Sequence, residues 1–313
     1  MILPVEVVRR TLPTLLSQED ERLFSAEIEK TLPSVETEIV SGEFFPAGWQ
    51  GDAQGWKGRL KTLVMVITTK KRAFPPHGGR TPLIATDRLS NGYFHWVTET
   101  LPRLWWLKDQ LAGLELLLPS FAAKMPYMVQ SLALFPDLKV RAIGAKIRWR
   151  LDEALLVPAT APTGNYRPWL LKVVGEAWRL KVLPKTPFRK IYISRSKAAR
   201  RRIVNEAEVR SVLEAQGFET VHLEGMAFED QVRLLAEATH LVSNHGAGLT
   251  NMLFMTPGSR VTEVRMRGDT HNNCYFSLAR ALDLDYSYRL GDPARYGGSA
   301  HTADLWVEPK GLI

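Results

Sequence analysis

From residue 189 onward, short apolar runs alternate with amphipathic stretches at a regular spacing. "KIYIS" is followed by a helical pattern over 205–216, which Gly217 stops, and "TVHLE" by a helix over 228–237. "HLVSN" leads to a helix over 249–255 and "RVTEV" to one over 273–282, and "DYSYRL" reads as a last strand. Apolar period separates the two element types, and Gly and Pro punctuate them. Strands alternating with helices imply an α/β fold, a parallel sheet with helices on both faces. Upstream, "PLIATD", "LELLLP" and "EALLVP" read as strands, and 125–135 and 169–183 as helices. "GYFHWVTETLPRLWWLKDQL" reads as an aromatic-rich helix interrupted near Pro102. Residues 1–80 are turn-rich: "EFFPAGWQGDAQGWKGRL" and "AFPPHGGRTP" read as loops flanking a strand "LVMVITT". The C-terminal "YGGSAHTADLWVEPKGLI" carries little regular signal. "LPKTPF", with Pro184 and Pro187, is the linker candidate and divides the chain into domains 1–183 and 184–313.

In an open parallel sheet, ligands bind beyond the carboxyl ends of the strands. Arg195, Glu224, Asn244, His245 and Arg265 fall at or just past such ends, and Glu263 lies within the last turn of its strand. After "HLVSN" the chain runs into His245-Gly246-Ala247-Gly248 and then a helical pattern. Two glycines allow close backbone approach, and a helix N-terminus offers free N–H groups, so the expected ligand is an anion. The alternative is a tight turn that needs glycine for backbone reasons only. An oxyanion hole also uses His-Gly runs, but no Gly-x-Ser-x-Gly elbow accompanies this one. A carboxylate at Glu263 suits ribose hydroxyls; otherwise it pairs with Arg265 or Arg267. Phosphate beside a sugar means a nucleotide.

Composition narrows the partners. A net charge of +8 favours anions, and the densest cluster is "RSKAARRR", Arg195 to Arg202. It lacks the interleaved aromatics that stack on bases, which counts against nucleic acid. One cysteine, Cys274, excludes a disulfide framework and reads as a core residue. The histidines show no ligand spacing, and "DLD" (283–285) falls away from the expected binding edge, so no metal site is expected. The opening residues lack a secretory plan and no apolar run reaches membrane length, so a cytoplasmic location is expected. Trp105 and Trp106 suit peripheral contact with anionic lipid at an inner membrane, or the core of the first domain, which is preferred.

The stretch from "KIYISRSKAARRRIVNE" through "EDQ", "LLAEATHLV" and "HGAGLTN" to "TEV" resembles the C-terminal half of glycosyltransferase family 61. "GYFHWVTETLPRL" resembles that family's N-terminal signature, except that Gly92 stands where asparagine is usual. The resemblance implies a GT-B fold, two Rossmann-like domains facing across a cleft. The first would bind the acceptor and the second a nucleotide-sugar, UDP-linked. It also implies inversion at the anomeric carbon, no cofactor and no required metal. The acceptor would be a saccharide or lipid-linked saccharide in bacterial surface polysaccharide synthesis. A catalytically inactive nucleotide-binding protein and a nucleic-acid-binding protein are the alternatives.

Inverting transfer needs a base for the acceptor hydroxyl and positive charge for the departing diphosphate. His95 and Glu99, four apart in a helical pattern, share a face. Glu99 is the preferred base; the alternative has it orienting His95 as base. Arg195, with Lys197 and Arg202 as weaker candidates, would meet the diphosphate. Arg200 and Arg201 are expected to face water or an acidic partner. Asn244, His245, Gly246, Ala247, Gly248 and Asn251 would contact phosphate or sugar, and Glu263 the ribose.

Overall fold

The computed structural model describes residues 1–16, 21–44, 70–75, 78–269, 273–294 and 302–313. The expected strand "LVMVITT" and most of the glycine-rich loop before it lie outside the described residues. The described chain forms two compact units, Met1–Pro4 with Ser34–Thr160, and Val5–Pro33 with Ala161–Ile313.

In the first unit, Ile147–Leu156, Thr81–Ile84, Leu114–Pro119 and Lys139–Ile143 lie side by side and parallel. Glu38–Phe44 adds an antiparallel edge on Ile147–Leu156, and Lys70–Ala73 pairs with the same strand. Arg148 and Arg150 therefore lie in the first half of a sheet strand, and Arg148 pairs with Glu43 at 3.3 Å. The aromatic helix has three parts: Tyr93–His95 is α-helical, Trp96–Thr100 is π-helical, and Leu101–Trp106 returns to α. Pro102 explains the change of winding. A regular α-helix would leave Thr98 without the N–H it needs from position 102 and press the proline ring against its carbonyl. Trp106 is in the core, as expected, while Trp105 is half-buried and meets Phe135 edge-on at 6.2 Å.

The second unit carries the alternation read from the sequence. Its sheet runs Phe218–Val221, Arg189–Ile193, Ala238–Asn244, Arg260–Met266, Asp285–Pro293, all parallel, with Leu305–Trp306 antiparallel at the edge. The first strand in the chain lies between the second and the third, so the strand order reverses between Arg189–Ile193 and Ala238–Asn244. Side chains alternate across the sheet. Tyr192, Val242 and Val264 pack with Val209 and Leu213 of the helix Glu206–Ala215. Gly217 at φ +83 ends that helix in the left-handed region. The C-terminal segment has more structure than its composition indicates: Leu305, Val307 and Leu312 join this core, and Asn205 brackets the Val307 backbone with two hydrogen bonds.

The division of the chain differs from the break expected at 183/184. The helix Pro168–Val182 belongs to the second unit because it packs against Phe228–Ala236 and Ala247–Phe254. Trp178 meets Phe228 edge-on at 5.0 Å, and Arg179 Nη1 donates to the Met255 carbonyl at 3.1 Å. Residues Val5–Pro33 join it too: Phe24 is buried against Phe276, Tyr286 and Tyr288. Prolines mark a break in local structure, but burial of Leu170, Val174 and Trp178 decides which core a helix joins.

Gly175 sets the helix spacing, since a Cβ there would lie 2.4 Å from the Leu253 carbonyl oxygen. Alanine normally favours a helix over glycine by roughly 1 kcal/mol. Here the sign reverses: Gly175→Ala is expected to destabilise the unit by about 1–3 kcal/mol through overpacking. Thermal unfolding would show a lowered midpoint, and an unchanged or raised midpoint would contradict the close packing.

Candidate active site

The order reversal in the second sheet falls between the strand ending at Ile193 and the strand ending at Asn244. Beyond those ends the loops part, which opens a place for a ligand. Arg195 and the His245-Gly246 turn stand on its two sides. The Arg195 guanidinium lies close against Gly246: a Cβ there would be 2.7 Å from Cζ. Gly246 is extended, at φ 164 and ψ 169, so glycine is required for space and not for a left-handed backbone. Gly248 serves packing, with Ile193 Cγ2 3.1 Å from the place of its missing Cβ.

The helix that follows, Ala247–Phe254, is a 3-10 helix rather than the α-helix expected. Its i to i+3 bonding begins with Leu249 N–H on the Gly246 carbonyl at 2.9 Å, so Ala247 and Gly248 N–H precede the first intrahelical bond. Asn251 is buried and donates to the Gly248 carbonyl at 3.1 Å. It braces the loop from inside, which corrects its expected contact with sugar or phosphate.

Charge is concentrated here. Arg195 is half-buried, and its Nε and that of Arg201 are buried without a hydrogen-bond partner. Burial, and then repulsion from Arg201 and Arg200, lowers the Arg195 pKa against the opposing pull of Tyr275 and Glu224. Arg201 was expected to face water or an acidic partner. Instead it takes φ +57, its carbonyl accepts the Asn244 amide, and it lines a small cavity with Asn244, His245 and Asp269. Nothing in a run of five basic residues distinguishes it; the turn that rotates it inward is set by the fold. Asn244 Oδ1 is buried and unpartnered. The other basic candidates fare differently. Arg202 is held by Asp304, with contacts of 2.9 and 3.2 Å from its guanidinium and 2.8 Å from its N–H, and Lys197 is exposed. Arg202 is thus engaged by an acidic side chain at the surface, and Lys197 is a solvated charge.

Glu263 is also corrected. Its side chain is 0% exposed, and both oxygens are occupied, by His245 Nδ1 at 2.5 Å and the Tyr286 hydroxyl at 2.6 Å. A ribose has no route to it. Tyr286 follows from the register: Glu263 lies beside Tyr288, which puts Tyr286 diagonally adjacent on the same face. Arg265, expected at the edge, is buried, bonded to Asn273 at 2.8 Å and stacked over Phe24 at 5.4 Å. Cys274 is a core residue, its thiol pKa pushed up by burial and by Glu263. Asp283 and Asp285 each pair with a cation, Lys172 at 2.6 Å and Arg260 at 3.2 Å, at the opposite end of the sheet.

Glu206, in the stretch that carries the family resemblance, is scaffold. Glu206 Oε1 accepts both Tyr192 and Ser194 hydroxyls, at 2.8 and 2.7 Å, fixing the strand that delivers Arg195.

In the first unit, His95 Nδ1 lies 3.1 Å from Glu99 Oε1, with side chains 22% and 7% exposed. The histidine reaches solvent and the carboxylate sits behind it. Neither atom has a hydrogen bond of good geometry, so the pair has a free donor or acceptor to spend elsewhere. The loop before them is rigidly held. Arg103 donates to the Ala85 carbonyl at 3.0 Å and to Asp87 at 2.7 Å, and Asp87 also accepts from Leu89 N–H and Ser90. Burial works to raise the Asp87 pKa, but Arg103 and these bonds hold it below its ordinary value. Gly92 is extended, at φ −89 and ψ 137, and a Cβ there would make only ordinary 3.4 Å contacts. The backbone would accept the asparagine usual at that position. Among the described residues no three His, Cys, Asp or Glu side chains are grouped to hold a metal ion, and no helix is long and apolar enough to cross a membrane.

Comparison with known proteins places these residues in a wider set. A family model described as Glycosyltransferase 61 matches residues 93–262, from the aromatic helix to the strand carrying Glu263. The chain is 41% identical over 99 residues to protein O-linked-mannose beta-1,4-N-acetylglucosaminyltransferase 2 of Xenopus laevis, covering 30% of this chain and 17% of that protein. The Homo sapiens protein of that name is 39% identical over the same length, with the same coverage. EGF domain-specific O-linked N-acetylglucosamine transferase of Drosophila melanogaster is 33% identical over 114 residues, 34% of this chain and 21% of that protein. The chain thus matches about a fifth of the length of these relatives.

Proposed function

The chain belongs to glycosyltransferase family 61, and on that premise we propose that it transfers a sugar from a UDP-linked nucleotide-sugar to a saccharide hydroxyl. Transfer proceeds with inversion and without a required metal, and the GT-B arrangement is part of the same proposal. One observation carries it. Arg195 and Arg201 stand at the order reversal of a parallel sheet with buried, unpartnered Nε atoms, beside a glycine whose missing Cβ leaves the guanidinium room. Such concentrated positive charge, next to free N–H groups, suits a diphosphate. The names of the relatives favour an N-acetylhexosamine donor.

In this reading the acceptor hydroxyl attacks the anomeric carbon as the bond to the diphosphate breaks. Glu99 takes the hydroxyl proton. Arg195, Arg201 and His245 neutralise the charge that develops on the leaving oxygen. The acceptor class, a saccharide or lipid-linked saccharide of a surface polysaccharide, rests on the resemblance alone.

Calorimetric titration with UDP, GDP, CMP and their sugar conjugates, with and without EDTA, tests the proposal. UDP-selective binding that EDTA leaves unchanged is expected. Absence of binding to every nucleotide would remove the diphosphate site.

A further inference from the structure

The contacts of Glu263 are costly unless they do something. A fully buried carboxylate loses several kcal/mol of hydration, and well-packed apolar residues of similar volume often serve a fold as well or better. Here the carboxylate spans three elements. Oε1 faces His245 in the turn after Ala238–Asn244, and Oε2 accepts from Tyr286 on Asp285–Pro293. Burial pushes the Glu263 pKa up, yet His245, Arg265 and Tyr286 together hold it below its ordinary value. The ring of His245 is also gripped edge-on by Tyr275, centroids 4.9 Å apart. With Nδ1 engaged, Nε2 is the ring nitrogen left for a ligand, and His245 lines a small cavity with Arg201 and Asn244. The arrangement fixes the ring, much as a buried carboxylate does behind a catalytic histidine.

We propose that Glu263 and Tyr286 are positioning residues that hold the His245 ring in place, Nδ1–H toward Glu263 and Nε2–H presented to the departing diphosphate. The inference rests on the transferase reading above. It assigns Glu263 no ligand contact of its own. Because charge on the diphosphate grows as the sugar leaves, the Nε2–H bond strengthens in the transition state, and its loss falls on kcat more than on donor KM.

The test joins a spectrum to kinetics. In wild-type protein labelled with 15N-histidine, at the pH of the activity assay, the ring contacting Tyr275 is expected to carry protons on both nitrogens. Its Nδ1–H should resonate far downfield. In Glu263→Gln that downfield signal is expected to vanish. kcat should fall on the order of 10–100-fold, the size seen when the hydrogen-bond partner of a metal-ligating histidine is removed, with donor KM within about threefold by the same differential-binding argument. A bare Nδ1 or Nε2 in the wild type, or wild-type kcat in a folded Glu263→Gln, overturns the inference. If that variant does not fold, the wild-type spectrum decides alone. Failure of the transferase reading is distinguishable: the wild type itself would then neither bind UDP nor turn over any donor, which removes the catalytic role for His245 and its supports together.

Discussion

A Glu99→Gln variant is expected to bind donor as the wild type does and to turn over on the order of 10²–10⁴ times more slowly, the usual contribution of a positioned base. Glutamine keeps the volume and can still meet His95, so the π-helical turn and its packing survive. What it loses is the ability to accept the acceptor's proton. The local geometry favours this site for such chemistry. The π turn directly before Pro102 puts Glu99 behind His95, 3.1 Å away, in a segment anchored by Trp96 on Ser131 at 2.7 Å and Thr100 on Ser90 at 3.1 Å. His95→Asn is the companion variant. With Glu99 as base it slows turnover less than Glu99→Gln; the reverse order would assign the base to His95. Equal kcat in Glu99→Gln and wild type would remove the pair from the chemistry.

Gly246→Ala is expected to weaken UDP binding by roughly 10–100-fold, the loss of a hydrogen-bonded charged contact worth about 1.5–3 kcal/mol. The added methyl would lie within van der Waals overlap of the Arg195 guanidinium, whose Cζ is 2.7 Å from that point. Alanine adopts extended backbone without strain, so the variant should fold and unfold as the wild type does. The arginine must move, because the other side of the clash is main chain. Gly248→Ala is the control: its methyl would meet the end of the Ile193 side chain at 3.1 Å, and a smaller effect is expected. Calorimetry reads both. Wild-type affinity in Gly246→Ala would mean that Arg195 does not hold the nucleotide where it now lies.

The strand-helix alternation after residue 189 was legible because each element has its own apolar period and its own stop, as with Gly217 at φ +83. The glycine turn was legible as a place of close approach, and Arg195 as a charge at a strand end. Arg201 and Tyr286 were not. One is distinguished from its basic neighbours only by a left-handed φ, and the other by lying diagonal to Glu263 across a strand pair. The Glu263 assignment failed for a related reason. Position on a strand gives the distance from the edge, but only the neighbouring strands show that both carboxylate oxygens are already taken.

Local sequence thus determined which segments are strands and helices, where the chain needs glycine, and that residues 93–262 carry a family pattern. Those properties depend on a residue and its near neighbours along the chain. Tertiary structure alone decided that Pro168–Val182 and Val5–Pro33 join the second core, that the 247–254 helix winds as 3-10 against Gly175, and that a carboxylate in the middle of a strand is bonded by a histidine and a tyrosine. Each depends on what packs against what across long stretches of sequence, where burial and close contact outweigh local preference.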